Sequence, residues 1–110
     1  MELTDFIQHL PSRAAFAPDK MTKLDCFRSP RLLVGLNCFE AGQSQPIHAH
    51  AGADKFYLVV SGKARFVVGD RTLEARSGDL VVAPQGVAHG VEQALERSIV
   101  LVAIAPGPGG

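Results

Sequence analysis

The sequence predicts an all-β antiparallel barrel carrying one short helix at its N-terminus. Three observations carry that expectation. From about residue 21 onward, short β-prone runs alternate with Gly, Pro, Ser and Asp breaks. Past the N-terminal segment no run keeps helical periodicity over a helix-length stretch. Several of the runs, including Phe56-Tyr57-Leu58-Val59-Val60 and Ile99-Val100-Leu101-Val102, are apolar on both faces. A single sheet facing water would alternate instead, so both faces are expected to be covered: one by the barrel interior, the other by a second sheet or subunit.

Residues 1–20 form an N-terminal segment with the short helix. Leu3, Phe6, Ile7 and Leu10 recur at helical spacing after a candidate Thr4 cap, and Pro11 stops the run. Such a helix would pack on the barrel or on a partner subunit. Residues 21–106 form the barrel. Its strands are expected at Met21–Arg28, Arg31–Glu40, Ile47–His50, Phe56–Val60, Ala64–Val68, Thr72–Ala75, Leu80–Ala83, Ala88–Glu92 and Arg97–Ala105. Gly69-Asp70, between two β-prone runs, is a tight-hairpin signal. Residues 107–110, rich in Gly and Pro, are expected to be a flexible tail.

The 110 residues make one ordinary domain with one core. Hydrophobic residues are 46% of the chain, a globular composition. Eleven basic and eleven acidic residues cancel, so no general attraction to nucleic acid or to anionic membranes is expected. Neutrality also protects poorly against self-association, and with the two-faced apolar strands it points to a homodimer. The first residues lack the basic start and apolar run of a signal peptide, and Ile99–Ala105 is too short to span a bilayer, so a cytoplasmic location is expected. Cys26 and Cys38 then read as reduced core thiols; a disulfide between them is the less favoured alternative.

Chemistry concentrates in the histidines. His48 and His50 sit two apart on an expected strand, so both imidazoles can share a face and point at one atom. By itself a His-x-His pair is equally consistent with two surface residues. Its surroundings add weight. Gly42, five residues, His48-Ala49-His50, a short loop, a β-rich run and Gly62 resemble the first conserved motif of the cupin superfamily. Gly78, five residues, Pro84-Gln85-Gly86, two residues and His89 resemble the second.

The resemblance implies a double-stranded β-helix, a jelly-roll-like antiparallel barrel. It also implies that His48, His50 and His89 occupy three metal-binding positions. Imidazole suits Fe, Mn, Ni, Zn, Co and Cu, so ligand type leaves the divalent transition metal open. Three protein ligands with open positions is the pattern of a catalytic site. Dioxygenase, isomerase and lyase activities on small organic molecules all occur on this scaffold, which does not identify the reaction.

One position departs from the family. A glutamate usually stands seven residues before the glycine that ends the first motif; here Lys55 stands there, with Asp54 just before it. A divalent ion about 4 Å from an ammonium is repelled by about 8 kcal/mol at an effective dielectric near 20. Three arrangements follow. Lys55 turns away and Asp54 approaches as a fourth ligand through a one-residue shift. Or Lys55 faces inward uncharged. Or the metal is absent and Lys55 binds an anionic ligand, as a non-enzymatic small-molecule binding module would. Tyr57 shares the Lys55 face and, with Lys55, is a candidate catalytic group; core packing with a satisfied hydroxyl is the equal alternative. Gln45 and His9 are expected to face solvent.

Overall fold

The computed structural model describes residues 6–107. One short helix, α1 (Leu10–Arg13), precedes nine strands: β1 (Thr22–Arg28), β2 (Leu33–Phe39), β3 (Gln45–His48), β4 (Asp54–Ser61), β5 (Lys63–Val68), β6 (Arg71–Arg76), β7 (Leu80–Ala83), β8 (His89–Ala94) and β9 (Ser98–Ala105). They form two antiparallel sheets, ordered β1-β2-β9-β4-β7 and β3-β8-β5-β6. Only β1–β2 and β5–β6 join sequence neighbours; the other ladders join strands distant in the chain. The chain therefore winds back and forth between the sheets, the double-stranded β-helix expected from the sequence.

Turn chemistry fixes the joints. Gly69, at φ +61°, occupies the first central position of the two-residue β5–β6 hairpin, where a type II′ turn wants glycine. Gly62, between β4 and β5, has φ +91°, and a Cβ there would stand 2.3 Å from the Arg97 carbonyl oxygen. Only glycine fits both requirements.

The barrel interior is divided along the strands. The β4–β9 register sets Lys55 opposite Ile104, Tyr57 opposite Val102 and Val59 opposite Val100. Toward Val59 and Val100 the space is filled by Phe39, Phe66, Val91 and Ala94. Toward Lys55 and Ile104 it opens into a cavity of about 250 Å³.

A second apolar cluster lies outside the five-stranded sheet. Leu36, Cys38 and Ile99 pack there with Leu24, Val60 and Leu101, beneath Leu10, Ala14 and Phe16 of the N-terminal segment. The outer cover assigned to a second sheet or subunit thus comes in part from the chain's own N-terminus. Phe56, Leu80 and Val82, on β4 and β7, remain exposed at 37%, 58% and 55%. Both cysteines are free, and burial raises the Cys26 thiol above its ordinary range, so it stays protonated.

The helix differs from expectation in place. Pro11 lies in the first turn of α1, where its missing N–H costs nothing, and starts the helix instead of stopping it. Leu3 and Thr4 lie outside the described residues, and Phe6 and Ile7 are exposed. At the other end Gly107 donates its N–H to the Pro30 carbonyl at 3.1 Å, so the expected tail is anchored at its first residue; residues 108–110 lie outside the described range. No helix among the described residues is long and apolar enough to cross a membrane.

Candidate metal centre

The site is built on the β3–β8 ladder. Gln45 pairs with Val91 and His48 with His89, three residues against two, so β3 carries a bulge at Pro46-Ile47. The bulge turns Gln45 and His48 to the same side although they are three apart. Gly90 permits the close approach, because a Cβ there would lie 2.9 Å from both the Gln45 and Pro46 carbonyl oxygens. β3 ends at His48, so His50 is held by the following loop and not by a strand face shared with His48. Its carbonyl accepts the Gly86 N–H at 2.9 Å, which ties this loop to the Pro84–Gly86 turn ahead of His89.

The three rings converge. Their centroids are 4.8 Å (His48–His50), 4.6 Å (His48–His89) and 5.2 Å (His50–His89) apart. One ring nitrogen from each lies within 4.8 Å of the others. The Nδ1–H of His48 donates to the Pro46 carbonyl and that of His89 to the Val87 carbonyl, both at 2.9 Å. Each bond fixes the tautomer and leaves Nε2 with its lone pair free. Burial holds His50 and His89 below the ordinary imidazole range, and the Lys55 ammonium adds to the effect; for His89 the Val87 carbonyl partly opposes it. Both are therefore neutral at pH 7.

The Nε2 atoms of His50 and His89 are buried without a hydrogen-bond partner. Two buried ring nitrogens without partners beside one another are costly unless something fills the space between them. A metal of the zinc type, with bonds of about 2.0–2.1 Å, needs its nitrogens roughly 3–3.5 Å apart, which the rings would reach by closing from the separations of up to 4.8 Å seen here. The donor set fits a divalent transition metal on His48, His50 and His89.

Lys55 faces inward. It is 4% exposed, lines the cavity with His48 and His50, and sets its Nζ 4.6 Å from the Tyr57 ring centroid. Burial, with help from Lys23, lowers its ammonium to about 8. The one-residue shift that would bring Asp54 to the metal does not occur. Asp54 is exposed, and its Oδ1 accepts the Gln85 N–H at 2.9 Å, clamping the loop before β4 to the turn before β8. Tyr57 is fully buried and donates its hydroxyl to Gln45 Oε1 at 2.8 Å; burial raises its phenol well above the ordinary range, which makes it a poor acid. Gln45, expected in solvent, is 3% exposed, and the in-strand Pro46 was the available signal for the bulge that buries it. Lys23 and Asn37, also on the cavity wall, were not singled out from sequence. For Lys23 the signal was the alternation in Lys23-Leu24-Asp25-Cys26, which sets polar side chains on one face of β1. His9 lies at the surface and shares a hydrogen bond with Ser12.

A double-stranded β-helix with two sheets closing on a three-histidine cluster defines a cupin. A family model described as the cupin domain matches residues 35–105, and the chain belongs to that family. An uncharacterized protein of Streptomyces coelicolor is 37% identical over 83 residues, 76% of this chain and 78% of that one. The crystal structure of TT1209 from Thermus thermophilus is similar at a TM-score of 0.88 and 35% identity, over 93% of this chain and 98% of that chain. An RmlC-like cupin from Desulfovibrio desulfuricans is similar at 0.78 and 32%, over 84% of this chain and 89% of that chain.

Proposed function

We propose that this cupin is a metal-dependent enzyme acting on a small organic molecule, its metal held by His48, His50 and His89. The observation that carries the proposal is the pair of buried, unpartnered Nε2 atoms of His50 and His89 facing the same point as His48. When bound, the metal supplies Lewis acidity at open coordination positions. The chain's own residues do the rest. The Pro46 and Val87 carbonyls orient two of the imidazoles. The cavity of about 250 Å³ lies just below the usual range of small-molecule sites, which favours a ligand of few heavy atoms over a polymer. Val102 and Ile104 give it an apolar wall that limits water.

The test is metal analysis of protein purified without chelator and without a nickel column, followed by turnover assays on small acids and phenols. Stoichiometric metal that is lost in His48→Ala, with turnover of at least one compound, is the expected result. Metal bound without turnover of any compound would favour the alternative, a non-enzymatic binding module; the buried cation Lys55 supports that alternative. Absence of bound metal would overturn the proposal.

We also propose that the protein is a homodimer. The uncovered apolar strip of Phe56, Leu80 and Val82 supports this, as do zero net charge and the place of β7 at a sheet edge.

A further inference from the structure

The cavity holds more positive charge than its walls neutralise. Lys23, Asp25 and Arg28 face it from β1, Asn37 from β2 and Lys55 from β4. The Asp25 carboxylate is engaged by Arg28 at 3.0 Å, so it offers little to the lysines. Among the described residues no carboxylate pairs with Lys55, and its Nζ has only the face of Tyr57. An ammonium carries three N–H donors, and a ring face satisfies none of them as an oxygen would. The side chain is buried while Nζ opens onto the cavity, so its N–H donors are left for solvent or a ligand.

We infer that Lys55, with Lys23 at the rim, is an oxyanion subsite. The ligand of this cavity is then a small carboxylate whose anionic group sits between Lys55 and the histidine cluster. The ligand brings the negative charge that the cavity wall lacks. Three neutral imidazoles, a divalent ion and an ammonium leave the loaded site strongly positive, so anion and metal strengthen each other's binding reciprocally. This coupling rests on the metal-binding proposal above; the subsite itself does not. The cavity volume favours compounds on the scale of acetate, pyruvate or benzoate.

The test uses these three monocarboxylates, whose own affinity for metal ions is low. Chelator-treated protein is titrated with each and followed by NMR, then zinc-loaded protein is titrated in the same way. Expected is saturable binding to the wild type, weakened at least tenfold in Lys55→Met, a few-fold in Lys23→Met, and restored in Lys55→Arg. Equal affinity in wild type and Lys55→Met, or no binding of any of the three, would overturn the subsite. In the zinc-loaded series at least tenfold tighter carboxylate binding than in chelated protein is expected. Zinc that binds without that gain would overturn the coupling. Zinc that fails to bind would overturn the metal proposal while leaving the chelated series to decide the subsite.

Discussion

His48 and His89 stand opposite each other across the β3–β8 ladder, and each is oriented the same way: Nδ1 bonds the carbonyl two residues earlier, at 2.9 Å. The backbone thus sets both tautomers without recruiting a carboxylate. Replacing either ring removes a ligand from a three-ligand site. Since changing only the partners of a ligand costs about 10- to 100-fold in metal affinity, removing the ligand itself should cost more than about 100-fold. Competition titration of zinc against a chromophoric chelator measures this in His48→Ala and His89→Ala. An affinity equal to wild type in either variant would place the metal elsewhere.

The register that makes this pairing depends on Gly90. Adding a single methyl places a Cβ 2.9 Å from two backbone oxygens of β3, which have no flexible end to yield. Gly90→Ala should therefore separate the strands and disturb the bulge that aims His48. Overpacking of this kind costs about 1–3 kcal/mol. Urea unfolding should show that loss, and zinc affinity should fall although every ligand is present. A variant as stable as wild type with full zinc affinity would show that the close approach does not matter.

Much of the fold was legible because its signals are local. Short β-prone runs between Gly, Pro, Ser and Asp breaks marked all nine strands, and the order of two glycine-histidine motifs marked His48, His50 and His89. What escaped depends on register. A one-residue slip reverses every side chain of a strand, so sequence alone left Lys55 and Asp54 exchangeable; the β4–β9 and β4–β7 ladders settle it with Lys55 inside. Gln45 escaped because the bulge breaks strict alternation. Packing of the N-terminal segment on the barrel was expected, but Ala14 and Phe16 were not marked for it, because they lie in irregular chain, which has no period to detect.

The proposed dimer has a direct test. Leu80 and Val82 point outward from an edge strand beside Phe56, so a charge there meets no core residue of its own chain. Sedimentation velocity at micromolar concentration should show a dimer for the wild type and a monomer for Leu80→Lys/Val82→Glu, with unchanged thermal folding of the monomer in circular dichroism. A wild-type monomer would remove the proposal.

Lys55 makes stability depend on pH in a direction opposite to that of a salt-bridged acid. Its folded value is about 8 against 10.5 for a free lysine, because burial disfavours the charged form. Below about pH 8 the group is protonated both folded and unfolded, and the full penalty of burying the ammonium is present. Between the two values the unfolded chain binds a proton that the folded chain does not, so stability rises with pH across that window. The gain is about 2–3 kcal/mol, from about 1.4 kcal/mol per unit with some allowance for screening by water in the cavity. Urea unfolding of metal-free protein across this window should show the rise. Lys55→Met should be more stable than wild type at neutral pH and should lack this part of the slope. Saturating acetate should flatten the wild-type curve as well, because a carboxylate beside the ammonium keeps it charged in the folded state. An identical slope in wild type and Lys55→Met would mean that the ammonium is solvated and faces away from the histidines.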